Sequence, residues 1–290
     1  MDMKQPSVLI VILNYGTFDL TINLINELRE KLDYENYTIM VVDNCSPNES
    51  ASVLEAKSKE MDFIFYANKI NAGYAAGNNI GIRYGIEHRF DYSWILNNDV
   101  ELREKNVLSH MVEIAEKNEK TGCIGPMIYS LDGEICAPYV NRLTFWNMTL
   151  GIVAEKKIRR KYINESKEVY RVYGCCMLLK NSVMKAVDCM DERTFLYGEE
   201  DILAERMLAK GYVTYYDSEV SVTHKESASM KRMSKNRKEL QIRETGKSME
   251  LYLREYRHFP APARWLCLRG RRRNRRRAPP EFFPFCVRTA

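Results

Sequence analysis

The 290-residue chain has no uninterrupted apolar run approaching the ~20 residues that a membrane-spanning helix needs. Its first apolar stretch, Val8 to Leu13, stops at Asn14 with no small-residue cleavage site behind it, so no secretory leader is expected. None of the eight cysteines is spaced C-x-x-C, which argues against a zinc site, and reduced thiols in a cytoplasmic protein are expected. Neither G-x-G-x-x-G nor G-x-x-x-x-G-K-[ST] occurs, so the dinucleotide and P-loop fingerprints are missing. Internal repeats are missing too. What remains is a composition of 45% hydrophobic and 29% charged residues, that of an ordinary globular protein of one large or two modest domains.

Charge is unevenly distributed. From His258 onward there are nine arginines, no lysine and one acid, Glu281, and five of the nine prolines fall there as well. Residues 1–257 hold 35 basic and 38 acidic side chains. The shift marks a boundary, and residues 258–290 are expected to be a disordered or non-native Arg/Pro-rich tail. Its charge alone suits nucleic acid or an anionic membrane, but no specific nucleic-acid partner is expected.

Ahead of the tail, strand and helix signals alternate. Val8–Leu13, Thr38–Val42, Phe63–Tyr66 and Ser93–Leu96 are short apolar runs of the kind buried on both faces of a sheet. Helical spacing marks Phe18 to Leu32, Glu49 to Glu60, Asn79 to His88 and Val107 to Ala115. This alternation predicts an α/β fold with a mainly parallel central sheet and helices on both faces, followed by a mixed half. In that second half Ile124–Tyr129, Val169–Tyr173, Met177–Leu179, Tyr212–Tyr216 and Val220–Thr223 read as strands. Asp201–Lys210 reads as a helix stopped by Gly211, and Asn236–Arg257 as a long basic amphipathic helix. Residues 132–166 resist assignment.

Ligands of open parallel sheets collect at the carboxyl ends of strands. Three strand ends here are polar: Asn14-Tyr15, Asp43-Asn44 and Asn97-Asn98-Asp99. A single such acid is more often a cap or turn former, but three from one sheet face a shared crevice. The stretch from Asn71 to Asn79, with Gly73 and Gly77, reads either as a tight turn or as a backbone brought close to a phosphate. Asn97-Asn98-Asp99 is either a turn or the carboxylate that holds a divalent cation against a diphosphate. Glu199-Glu200-Asp201 suits a first helical turn, yet three adjacent acids repel one another, and one of them can act as a general base. His224, at the end of a strand, is a metal ligand only if the fold brings it to Asp99.

In this order and spacing the motifs resemble the family-two glycosyltransferases of the GT-A fold, especially the rhamnosyltransferase-like branch, over roughly residues 6–257. They are Val11-Ile12-Leu13-Asn14-Tyr15, Val41-Val42-Asp43-Asn44-Cys45-Ser46, Asn71 to Asn79, Leu96-Asn97-Asn98-Asp99, Phe195 to Asp201, and His224. The resemblance implies a nucleotide-sugar donor, a saccharide or lipid-linked hydroxyl acceptor, inversion at the anomeric carbon and Mg²⁺ or Mn²⁺. It places Asn14, Tyr15, Asp43, Asn71, Gly73, Asn97 and Asn98 at the donor and Asp99 and His224 at the metal. Glu200 takes the place of the base, with Asp201 and Glu199 beside it as candidates. Residues 1–122 then form the donor-binding half and 123–257 the acceptor-binding and catalytic half of one domain, as in an enzyme of polysaccharide biosynthesis. Lys247, Arg254 and Arg257 offer peripheral contact with the inner face of a membrane. The rival readings are a non-catalytic nucleotide-sugar-binding module and a sugar nucleotidyltransferase; the latter calls for a basic phosphate loop, and Asn14-Tyr15-Gly16-Thr17-Phe18 has no Lys or Arg.

Overall fold

The computed structural model describes residues 5–150, 161–225, 235–277 and 286–287. The four apolar runs become β1 (Val8–Asn14), β2 (Tyr37–Asp43), β3 (Ile64–Ala67) and β4 (Tyr92–Asn97), all parallel and ordered β3-β2-β1-β4. The intervening helices are α1 (Phe18–Lys31), α2 (Ser50–Glu60) and α3 (Tyr74–Glu87). Because side chains alternate along a strand, β1 feeds two cores. Val8, Ile10 and Ile12 pack with Leu24, Ile25 and Leu28 of α1, while Leu9 and Val11 pack with Ile82 of α3.

The chain continues through β5 (Val100–Leu102), α4 (Val107–Lys117), β6 (Thr121–Ser130), β7 (Ile135–Cys136), α5 (Phe145–Leu150) and β8 (Lys167–Val169). There follow β9 (Cys176–Lys180), α6 (Asn181–Ala186), α7 (Glu199–Ala209) and β10 (Val213–His224). Strand β9 is antiparallel to both β4 and β6, and β10 runs parallel to β6, so the sheet is mixed beyond β4. Last come α8 (Lys235–Leu251), a π-helical turn (Tyr252–Tyr256), α9 (Ala261–Arg277) and β11 (Cys286–Val287), which pairs with β7. No helix among the described residues is long and apolar enough to cross a membrane.

Four departures from the sequence reading have local causes. Helix α3 begins five residues early, at Tyr74, because Gly73 (φ 102°) turns the chain into it. The strand expected over Val169–Tyr173 stops at Val169, and Arg171 makes only an isolated bridge to Tyr139. The two strands expected between Tyr212 and Thr223 are one bulged strand, β10, whose register shifts between Asp217 and Ser221. Cys136 is disulfide-bonded, whereas Cys45, Cys123, Cys175, Cys176, Cys189 and Cys267 are free thiols. Of the tail, residues 278–285 and 288–290 lie outside the described residues, as do 151–160 of the unassigned segment.

The bulge in β10 is tied to α4. Asp217, fully buried, accepts a hydrogen bond from His110 Nδ1 (2.7 Å) and one from the backbone N–H of Glu219, while His110 Nε2 lies 3.4 Å from Glu219. Burial works against the imidazolium, but the hydrogen bond to Asp217 and the charges of Asp217, Glu219 and Glu113 outweigh it and raise the His110 pKa above its usual value. A raised histidine pKa contributes stability below the unfolded value, and that contribution disappears as pH climbs through the folded value. Wild-type urea midpoints therefore fall by more than those of His110→Ala between pH 6 and pH 9; equal falls would refute the linkage.

Candidate functional site

The polar strand ends lie side by side because the strands are in register: Asn14 pairs with Asp43, and Leu13 with Asn97. Asn14 is fully buried and acts as a hub. Its Nδ2 donates to Asp43 (2.7 Å) and Ser46 (3.3 Å), and its Oδ1 accepts from Thr21 (2.9 Å) and Asn98 (3.3 Å). Asp43 also accepts from the Ser46 hydroxyl (2.6 Å) and backbone N–H (3.0 Å). Asn98 in turn donates to Thr17 and Thr21. The side chains of Asn14, Asp43 and Asn98 are thus engaged in shaping the crevice floor, whereas Tyr15 stands half exposed at its rim.

A second ladder crosses from β2 to the Gly-rich loop. Asn44 donates to Asn71 Oδ1 (3.1 Å) and the Gly73 carbonyl (3.2 Å), and it accepts from Asn68 (3.1 Å). The loop also seals against the segment that leads to the acidic cluster. Tyr74 N–H donates to the Phe195 carbonyl (2.9 Å), and a Cβ on Gly73 would come within 2.2 Å of that same oxygen. Both the positive φ and this close approach demand glycine. Asn44, Asn68 and Phe195 fall within stretches noted in the sequence but carry no role of their own there; their partners are so remote along the chain that no local pattern announces them.

Strand β10 carries His224 to the other side of the crevice. His224 pairs with Val100 in antiparallel register, and Lys225 N–H donates to the Asp99 carbonyl. This sets His224 Nε2 3.2 Å from Asp99 Oδ1, each side chain about one-fifth exposed. Burial disfavours the imidazolium, but Cys175 and the hydrogen bond with Asp99 outweigh it and hold the His224 pKa well above its ordinary value. Two donors at that spacing fit adjacent corners of an octahedron with ~2.1 Å bonds, an edge of about 3.0 Å. Among the described residues no group of three or more His, Cys, Asp and Glu gathers for an ion. A cation here would take one carboxylate and one imidazole from the protein and its remaining ligands from substrate oxygens and water.

The three adjacent acids at the start of α7 have three different environments. Asp201 accepts from Arg171 Nε (2.8 Å), whose guanidinium lies 3.5 Å from the Tyr139 ring centroid. Glu199 is only 4% exposed, and its Oε2 finds no hydrogen-bond partner among the described residues. Burial first, and the adjacent Glu200 second, push its carboxyl up to about 8. Glu200 is half-buried, and its Oε1 accepts the Gly174 N–H (3.2 Å). The Tyr74 phenol, kept protonated by burial and by Glu200, donates to the carbonyl of that same Gly174 (2.5 Å). The next residue, Cys175, adjoins His224, and its carbonyl accepts the Asn97 N–H (2.9 Å). A continuous series of contacts therefore joins Asp99, His224, Cys175, Gly174 and Glu200.

The family model described as glycosyl transferase family 2 matches residues 7–187 of this chain. A curated relative, the low-salt glycan biosynthesis hexosyltransferase Agl10 of Haloferax volcanii, is 25% identical over 194 residues, which are 66% of this chain and 58% of the relative. The chain thus spans less than two thirds of that relative's length. Among solved structures, mannosyltransferase PcManGT from Pyrobaculum calidifontis in complex with GDP-Man and Mn²⁺ has a TM-score of 0.60 at 13% identity, over 92% of this chain and 69% of the other. GalNAc-T7 with UDP, GalNAc and Mn²⁺ has a TM-score of 0.59 at 13% identity, over 77% and 44%. At such identities the likeness is one of fold, the GT-A arrangement expected from the sequence.

Proposed function

Because the chain belongs to glycosyl transferase family 2, we propose that it moves a hexose or rhamnose from a nucleotide sugar to a hydroxyl of a saccharide or lipid-linked acceptor, with inversion. The observation that carries this reading is the run of contacts from the Asp99–His224 pair to Glu200. That run supports reading the pair as the cation holder and Glu200 as the base, the two ends of a direct displacement.

The floor formed by Asn14, Asp43 and Ser46 fixes the loop against which the nucleotide lies, with Tyr15, Asn97 and Asn98 beside it. The Asn71–Gly73 loop, pinned to Phe195, carries donor contacts to the acidic cluster. Asp99 and His224 would hold Mg²⁺ or Mn²⁺; the two complexes above contain Mn²⁺. Once bound, that ion supplies positive charge against the developing charge of the departing diphosphate. Glu200 takes the proton from the acceptor hydroxyl as its oxygen attacks the anomeric carbon from the face opposite the diphosphate. Asp201 and Glu199 serve the fold, the one paired and the other buried. Residues 1–122 supply the donor side, 123–257 the acceptor side, and an acceptor on a lipid would bring the protein to a membrane face.

The test needs no acceptor. GDP- and UDP-sugars are screened by thermal shift with Mn²⁺ and with EDTA. One donor raises the melting temperature by several degrees with Mn²⁺ only, since ~100 Kd of ligand adds about 2.7 kcal/mol. Asp99→Ala removes that shift, measured against the variant's own unliganded melting temperature. A shift of equal size in EDTA, or in Asp99→Ala, would overturn the metal assignment; no shift with any donor would overturn the donor reading.

A further inference from the structure

The cations that the sequence offers for membrane contact are engaged within the molecule. Lys247 pairs with Glu244 (3.0 Å), Arg254 with Glu255 (2.8 Å), and Arg257 donates to the Leu143 carbonyl and the Tyr252 hydroxyl (2.7 Å each). Helix α9 differs. It carries eight arginines and no acid. Its inner side is anchored: Cys267 is buried with Met148 of α5 and with Met249, Tyr252 and Leu253, and Arg264 pairs with Glu250 (2.8 Å). At Gly270 the helix meets α5 so closely that a Cβ would sit 2.8 Å from the Met148 carbonyl oxygen.

That anchoring fixes which side of α9 is left outward. Ala261, Pro262, Trp265, Leu266 and Arg269 are exposed and follow a three-to-four-residue spacing, so they form one face. Trp265 is 56% and Leu266 44% exposed, and the Arg269 guanidinium lies 5.0 Å from the Trp265 ring centroid. The rest of the helix, residues 271–277, adds six arginines to its sequence. Of the eleven large apolar side chains exposed among the described residues, five lie on α9 and the two helices packed with it: Trp146, Leu240, Ile242, Trp265 and Leu266.

We propose that the outward face of α9, with Trp265 and Leu266 as apolar anchors and Arg269 as the charged rim, docks the protein on an anionic lipid bilayer. Tryptophan seats at the headgroup level, aliphatic side chains reach the acyl boundary, and each arginine gains from the negative surface potential. The exposed Leu266 beside Trp265 favours this occupant over nucleic acid, which rewards the ring and the charge but not the aliphatic group. The surface deepens the membrane contact considered above and needs neither donor nor acceptor.

The full chain is sedimented with vesicles of phosphatidylcholine alone or with 30% phosphatidylglycerol, at about 0.1 M salt. Pelleting occurs with the anionic vesicles, weakens as salt rises, and brings a blue shift of tryptophan emission; Trp94, fully buried, does not respond. The surface variant Trp265→Ser/Leu266→Ser keeps the wild-type melting temperature and partitions about tenfold less, as does Arg269→Glu. Unchanged pelleting of both variants, equal binding to neutral vesicles, or binding to single-stranded RNA with no pelleting would each overturn the proposal. Donor-induced thermal shifts persist in both variants, so failure here and failure of the transfer reading are read separately.

Discussion

Glu200→Gln is expected to lower turnover by about 10²- to 10⁴-fold while leaving nucleotide-sugar binding within twofold of wild type. The size follows from the proton. An amide has the shape of the carboxylate and can accept the same Gly174 N–H (3.2 Å in the wild type), so the start of α7 keeps its place, yet it cannot take a proton from an attacking hydroxyl. The loss falls on kcat, since the interaction removed operates only in the transition state. Asp201→Asn is the control. Its carboxylate pairs with Arg171, each side chain 11% exposed, and breaking a buried pair from one side leaves the other charge uncompensated, at a cost of about 3–5 kcal/mol. The melting temperature then falls in Asp201→Asn and holds in Glu200→Gln. Turnover by Glu200→Gln near wild type, or a chemical-step loss in a still-folded Asp201→Asn, would move the base to another residue.

The polar strand ends of β1, β2 and β4 were legible in the sequence, for a physical reason. Strands buried on both faces are written as unbroken apolar runs, and a polar residue ends each run where the chain leaves the sheet. Val8–Leu13 before Asn14, Thr38–Val42 before Asp43, and Ser93–Leu96 before Asn97 place three strand ends with no knowledge of pairing. The register then sets Asn14 beside Asp43 and Leu13 beside Asn97. The floor itself was not legible. Nothing in Asn44 indicates that it will bridge to Asn71 and Gly73, nor in Gly73 that Phe195 will close over it.

The second half was harder because its segments complete one another. Residues 132–166 show no period, and they contain α5, whose apolar partner is α9 in a tail that composition alone marks as separate. Arg171 sits where a strand was expected, but its guanidinium is needed at Asp201 and Tyr139, and the chain leaves regular pairing to put it there. The acidic triplet is the sharpest case. Three like charges in adjacent positions cannot be told apart in sequence; Arg171, Gly174 and the buried pocket around Glu199 give each a different environment.

That difference has a thermodynamic consequence at Glu199. Its carboxyl is raised from the ordinary 4.5 to about 8, by burial first and by the charge of Glu200 second. The folded protein prefers it neutral. Stability from this group is fully present below the unfolded value and is lost as pH rises from ~4.5 to ~8, at about 1.4 kcal/mol per pH unit. Glu199→Gln removes the titration and keeps the volume. The stability of the variant relative to wild type is therefore expected to improve by about 4 kcal/mol between pH 5 and pH 8, read from urea unfolding at the two pH values. His110 titrates in both proteins, so its contribution cancels in the difference. A constant offset between the two proteins across this range would show that Glu199 ionises in the folded state as it does in the unfolded one.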